Sequence, residues 1–417
     1  MPNPTKPWTV LVYLAGDNNL DSAGVADLNE MKQVGSTNAL NVVAQFDRAG
    51  TSPATTRYYL RHGTNLPSDA VRSLGETNMG DPAVLLGFLE WGIANYPAGH
   101  YLVVLWNHGN GWDDANVYRA ARDIGFQVTR RGAVLQETEG PARGKVQTNQ
   151  VRAVSDRFGR SLFRSTVQAA VKERGIAYDD QAKDFLDNQE VQSVFTTVRN
   201  KLRTPVDILG MDACLMNMVE VAYQLRDSVA FVAGSEETEP GAGWPYHTIL
   251  GPMAANPAMS PRDVSALIVT KYLASYGASS NVTQSALDQA RLPDVRAAVE
   301  GLGQRLRAGL GTSLTRLAIL DARRHVQSYY RPDYVDLVDY CQQLKAGRAP
   351  AALKAAAAAV IAAVTSLVVK NGSKGAALRR SNGVSIYFPT NGVSPIYATL
   401  DFARNSQWAE FLTAYRA

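Results

Sequence analysis

Residues 206–225, VDILGMDACLMNMVEVAYQL, carry a strand-to-helix transition with a single cysteine at the turn. Val206, Ile208, Leu209 and Met211 form an apolar run too short for a helix and closed by the polar Asp212, which predicts a buried strand. Met218, Val221, Ala222 and Leu225 then recur at three- and four-residue spacing, which predicts a helix. Cys214 is thereby placed at the carboxyl end of a strand and the amino end of a helix, where unpaired N–H groups and the helix dipole favour a thiolate. A lone cysteine beside Ala213 reads more readily as a small, inert core residue, because free cysteine is commonly buried. A nucleophile needs a base.

Moving toward the amino terminus, residues 8–15 (WTVLVYLA) form a β-type run that ends in the polar turn 16–19 and leads into a helix pattern over 20–34. Residues 40–47 (LNVVAQFD) repeat the strand signal, and 56–61 (TRYYLR) alternate like an edge or hairpin strand. A helix is predicted over 81–95, with Pro82 in its first turn, and the strand 101–106 (YLVVLW) follows at once. Short apolar strands alternating with helices predict an α/β chain whose mainly parallel central sheet is flanked by helices. In such sheets, sites form at the carboxyl ends of strands.

Residues 113–164 differ: ten Arg and Lys residues are spread over weak periodicity and several glycines, which reads as a long exposed basic insertion. Residues 176–191 are acidic, with a helix expected toward 190–202. After a further strand at 229–234, the loop SEETEPGAGWPY is polar and glycine-rich, well placed to line a pocket. From residue 260 onward the pattern turns helical, at 261–275, 286–309, 334–345 and 349–369, before one returning strand at 383–388 and a short closing helix at 406–415. This divides the chain into a 1–258 domain and a 259–417 mostly helical region that returns one strand and packs on it.

The 417 residues carry a formal charge of +4, mild for this length, with basic residues dispersed outside the one insertion. Nucleic-acid binding is therefore not expected. Cys214 and Cys341 are far apart and show no metal-type spacing, so neither a disulfide framework nor a zinc site is indicated. The alanine-rich stretch 355–369 is shorter than the roughly 20 residues a bilayer span needs, so no membrane association is expected. The opening MPNPTKPWTV lacks a hydrophobic signal region. As written, this points to the cytoplasm, with secretion as the alternative if a leader was removed. A monomer is expected.

The strand 101–106 ends in Asn107–His108–Gly109–Asn110–Gly111–Trp112. Among the five histidines, only His108 stands at a strand end between a polar residue and glycines, a setting that exposes its ring to a substrate. Both His108 and Cys214 terminate predicted core strands, and in a parallel sheet those ends share one edge. An imidazole beside a thiol supplies a base for the nucleophile and a proton donor for a leaving amine, the minimum set for acyl transfer. The backbone N–H groups of Gly109 and Cys214 are candidates for the oxyanion hole.

GDNNLD at 16–21, NHGNGW at 107–112, DACLM at 212–216, EETEPGAGWPY at 236–246 and GVSIYFP at 383–389 together resemble the clostripain family of cysteine peptidases. The matches run in order over nearly the whole chain. The resemblance implies a caspase-like fold and a His/Cys dyad, here His108 and Cys214, cleaving peptide or protein substrates after Arg or Lys. It maps Asp212 to the pocket for the basic side chain, where a desolvated cation needs a fixed counter-charge; capping of its own turn is the alternative. Glu236, Glu237 and Glu239 offer a second acidic wall, and Trp244 a lid or platform, with solvated charges and a core aromatic as the plainer readings. Asp17 and Asn18 end another strand at the same edge, where turn formation is their plainer role.

The resemblance also implies self-cleavage between the histidine and cysteine strands, for which Arg130, Arg131, Arg143 and Lys145 are candidates. Calcium dependence occurs in the family. Asp179, Asp180, Asp184 and Asp187 offer hard oxygen ligands without EF-hand spacing, so the metal ligands stay unknown, and the chemistry itself requires no cofactor. Two other readings remain open: a catalytically idle module that binds basic peptides, and a ligase or transpeptidase using the same thioester.

Overall fold

The computed structural model describes residues 5–18, 20–49, 55–112, 126–128, 135–137, 176–179 and 184–416. The first strands are β1 Lys6–Gly16, β2 Leu40–Arg48, β3 Thr55–Tyr59, β4 Ala70–Gly75 and β5 Ala98–Trp106. Two short hairpins follow, β6 Phe126–Val128 with β7 Leu135–Glu137, and β8 Ile176–Asp179 with β9 Asp184–Leu186. The remaining strands are β10 Val206–Asp212, β11 Val229–Gly234, β12 Val282–Asp288, β13 Tyr334–Asp336, β14 Val368–Lys374 and β15 Ser385–Tyr387.

Nine of these strands make one sheet in the order β14-β12-β11-β10-β5-β1-β2-β3-β4. Its central five strands, β11, β10, β5, β1 and β2, are parallel, and the antiparallel pairings lie at the two edges. The parallel centre follows from the sequence: β1 is buried on both faces, so its side chains are apolar at almost every position. Leu11 and Tyr13 pack with Leu105, Leu209 and Met211 on one face, while Val10, Val12 and Leu14 pack with Leu102, Val104 and Trp106 on the other. Helices α1 Asp21–Val34 and α2 Pro82–Asn95 cover these faces, the second with Asp81 capping its first turn. This is a caspase-like α/β architecture, as expected.

Residues beyond 258 depart from expectation. They supply two strands of the main sheet, β12 and β14, not one, whereas β15 pairs with β13 in a separate two-stranded ladder. The region therefore extends the sheet in addition to covering it with helices. β12 escapes the sequence pattern because its centre, Thr283, Gln284 and Ser285, which falls between the helices expected over 261–275 and 286–309, is polar and yet buried, leaving no apolar alternation to read. The acidic stretch 176–191 likewise contains a hairpin before the helix Asn188–Leu202, which Asp187 and Glu190 open with a reciprocal capping box.

Candidate functional site

In the parallel pair β5–β10, Trp106 lies opposite Asp212, so the turns carrying His108 and Cys214 leave the same edge of the sheet on neighbouring strands. Asn107 ties three strand ends together. Its Nδ2 donates to the Ala15 carbonyl at 2.8 Å, its Oδ1 accepts from Asn18 Nδ2 at 3.3 Å and from the His108 N–H, and its own N–H donates to the Asp212 carbonyl at 3.4 Å. Asn18 thus joins the site's frame while also forming its own turn, accepting from the Leu20 N–H at 2.8 Å.

The two turns touch at Gly109. A Cβ there would lie 2.4 Å from the Cys214 carbonyl oxygen and 2.9 Å from the Ala213 Cβ, so only glycine permits this approach. The Gly109 N–H acts on the Cys214 thiol. The sulfur also accepts from the Glu239 N–H at 3.2 Å.

Cys214 does not open a helix. The next helix, Val219–Gln224, starts further along, and the intervening chain is an irregular turn in which Leu215 takes φ 63°. That left-handed backbone is held by the loop after β11: the Leu215 N–H donates to the Glu237 carbonyl at 3.1 Å and the Asn217 N–H to the Ser235 carbonyl at 2.9 Å. Without a helix end beside it, the thiol lacks the expected dipole. Burial pushes it up to about 11, opposed by the Glu239 and Gly109 N–H groups and reinforced by the carboxylates of Glu237 and Asp212.

Asp212 is buried and turned toward the segment after β11, not onto its own turn. Its carboxylate accepts from the Tyr246 hydroxyl at 2.8 Å and from the Trp244 N–H at 3.3 Å. A Cβ at Gly243 would come within 3.1 Å of its Oδ1, which explains the glycine. Burial raises Asp212 to about 6 despite these donors. Of the acidic run, Glu239 brings the second carboxyl. Burial and then the nearby Asp212 charge push it well above the ordinary range, with the Asp212 carboxyl and the Trp244 side chain as its polar neighbours. Among the described residues, no Lys or Arg pairs with either carboxyl.

The other expected pocket residues lie elsewhere. Glu236 is buried toward the carboxyl-terminal region, accepting from the Gly383 N–H at 3.0 Å beside Asp336. Glu237 accepts from the Tyr330 N–H at 3.1 Å and the Thr238 N–H at 2.8 Å, so it braces loops instead of facing a substrate. Trp244 is 1% exposed, with its ring against Gly210 of β10 in the core below the sheet. It is neither lid nor platform. All three are polar or aromatic residues whose partners come from distant chain, which a local reading misses.

Arg130, Arg131, Arg143, Lys145 and Asp180 lie outside the described residues. Asp179 and Asp184 are register partners in the β8–β9 backbone ladder, while Asp187 caps a helix. Among the described residues, the acidic group with oxygens within 4.8 Å of one another is instead Asp17, Asp47 and Glu76. A residue missed entirely is Asp27 on α1, buried and accepting from the Trp106 indole N–H at 2.7 Å. Its signal was a charged residue abutting the inward-facing Leu28 and Met31.

Fold and site together define a caspase-like α/β chain with a cysteine and a histidine on adjoining parallel-strand turns. The family model described as the clostripain family, peptidase C11, matches residues 12–139 and 163–415, and the chain belongs to that family. It is 26% identical over 286 residues to Clostripain of Hathewaya histolytica, a match covering 63% of this chain and 45% of the relative, so it spans less than half of that relative's length. Two solved structures share the fold. One, described as an inactive zymogen C11 protease from Parabacteroides distasonis, has TM-score 0.65 and 19% identity, covering 97% of this chain and 99% of that one. The other, described as a secreted C11 cysteine protease from Bacteroides thetaiotaomicron in complex with an irreversible peptide inhibitor, has TM-score 0.64 and 21% identity at the same coverages.

Proposed function

We propose that the chain is a cysteine endopeptidase cutting after Arg or Lys, with His108 and Cys214 as its dyad. The observation that carries the reading is the contact at Gly109, which holds the two turns together with a backbone N–H directed at the sulfur. A substrate's basic side chain enters between Asp212 and Glu239, a buried carboxyl pair without a cation of its own. His108 takes the Cys214 proton as the sulfur bonds to the scissile carbonyl carbon, and the N–H groups of Gly109 and Cys214 stabilise the oxyanion. The imidazolium then protonates the departing amine. Water, deprotonated by His108, hydrolyses the thioester and frees Cys214.

The raised thiol fits this order of events, because the proton leaves only when His108 and substrate are in place. Self-cleavage within 113–164 is part of the proposal, since an enzyme cutting after basic residues meets many of them there. So is a calcium requirement, with ligands unassigned. No helix among the described residues is long and apolar enough to cross a membrane. We favour export over a cytoplasmic site on the description of one relative as secreted.

The test is incubation of wild type and Cys214→Ala with fluorogenic peptides ending in Arg, Lys or Asp, with and without calcium, and with intact mass recorded alongside. Cleavage after Arg or Lys by wild type alone, with cuts inside 113–164, is expected. Turnover retained by the variant removes Cys214 from the chemistry. An intact, silent wild type whose thiol also resists alkylation leaves a module that only binds basic peptides.

A further inference from the structure

The carboxyls at the pocket do not end with Asp212 and Glu239. Trp106 and Asp212 are lateral neighbours in the β5–β10 pair, about 5 Å apart along the hydrogen-bonding direction. The Trp106 indole points toward α1 and donates to Asp27, which is 5% exposed. One turn on, Glu30 has a buried oxygen without a hydrogen-bond partner, and its other oxygen lies 3.3 Å from His247 Nδ1. The helix Tyr246–Ala255 packs against α1 and closes the group from its own side. Its Tyr246 hydroxyl bonds Asp212 and lies within range of the Asp27 charge. Just past the helix Pro261–Ser275, Tyr276 donates to the Gly243 carbonyl at 2.8 Å and feels all four carboxyls. Asp27 is thus faced by Glu30, Asp212, Tyr246 and Tyr276, and no Lys or Arg among the described residues pairs with it.

Four carboxyls gathered around apolar and phenolic surface cannot all stay ionised while the pocket is empty. A cation entering beside Asp212 changes that balance for the carboxyl behind it. We propose that Asp27 is a specificity-determining residue of this pocket: a third carboxyl, behind Asp212, that gives up its proton when a basic side chain enters and then shares in holding its charge. The O–H bond of Asp27 breaks, the proton passes to solvent, and the carboxylate keeps the Trp106 N–H bond it already has. This rests on the reading of Asp212 and Glu239 as the basic-side-chain pocket. Burial, then the Asp212 charge, raises Asp27 to about 9 in the empty protein, which supports a proton held there at neutral pH.

Asn is the neutral mimic of a protonated Asp and keeps an oxygen for the Trp106 N–H, so Asp27→Asn separates charge from packing. The measurement is kcat/KM for an arginyl fluorogenic peptide against pH, as the ratio of variant to wild type, which cancels titration of the dyad. The ratio is expected to fall with rising pH, from almost no loss near pH 6 to roughly tenfold near pH 9, carried by KM. Calorimetry of an arginine-containing inhibitor in buffers of differing ionisation enthalpy supplies the second readout, with wild type releasing more protons on binding than the variant. A ratio flat across pH with equal proton release, while wild type still cuts after Arg, makes Asp27 a packing residue and overturns the proposal alone. A wild type that cuts no arginyl or lysyl peptide overturns the pocket reading and this inference with it.

Discussion

Gly109 has no side chain, and the Cys214 carbonyl occupies the space one would fill. Gly109→Ala must push the histidine turn from the cysteine turn by several tenths of an ångström and more, because the obstructing atoms are backbone as well as side chain. The expected result is a fall in kcat of about 10²–10³-fold, the cost of misplacing an oxyanion donor, with KM less affected. Steady-state kinetics beside thermal unfolding checks it, and a variant with full kcat would detach this contact from the chemistry. The residues that end strands, His108, Cys214 and Asp212, were legible in the sequence because a parallel sheet gathers strand ends whatever the loops do. The thiol's state was not. Burial sets most of it, and no helix dipole offsets that burial because Leu215 in the left-handed region delays the next helix in a way apolar spacing cannot reveal. Nor was the choice of Glu239 among three neighbouring glutamates, since the partners that divert Glu236 and Glu237 come from residues 383 and 330.

The short helix Val219–Gln224 after the cysteine turn is anchored by a buried carboxyl. Glu220 is fully buried, accepting from the Tyr387 N–H of β15 and from the Tyr397 hydroxyl, both at 2.9 Å. Burial raises its pKa to about 7. A carboxyl whose folded pKa lies above its unfolded value holds its proton more tightly in the folded state. Stability from this group is therefore complete below about pH 4.5 and declines as pH rises toward about 7, by an amount on the order of 3 kcal/mol. Glu220→Gln keeps an acceptor for both donors and removes the titration. Its denaturant midpoint is expected to vary less with pH than that of wild type across this window, and to lie above it at neutral pH. Urea melts at several pH values decide the point, and a variant with the wild-type pH slope would assign the titration to other groups. At the same scale, β12 shows why elements can hide. Thr283 and Ser285 bond the chain around the cysteine turn, with the Thr283 hydroxyl accepting from the Glu236 N–H at 2.9 Å and the Glu237 N–H at 3.0 Å and Ser285 accepting from Asn217. Bonding to these loops puts polar residues where a strand's apolar signature would stand.

Across the molecule, the supports of the cysteine turn come from both sides of residue 258. Strand β12 pairs with β11 from Phe231 opposite Asp288 to Gly234 opposite Ser285, and Asn217, just past Cys214, donates to Ser285 and to the Gly383 carbonyl. One hydrophobic cluster runs without a break from Leu11 and Leu105 through Val219 to Tyr334, Ile386 and Trp408. A chain cut after residue 258 would leave β11 as a bare edge and strip apolar partners from one whole face of the sheet. Such a fragment is expected to lack a cooperative unfolding transition and to be inactive, because the loop 235–239 that carries Glu239 loses the Thr283 hydroxyl bracing it. Supplying residues 259–417 in trans during expression should restore both soluble assembly and turnover, since the two pieces complete one sheet. Size-exclusion chromatography of the co-expressed pieces, with activity measured on the same fractions, gives the answer. A soluble, active 1–258 fragment would instead make the later strands an appendage, and the cysteine turn would then need a support other than Asn217, Thr283 and Ser285.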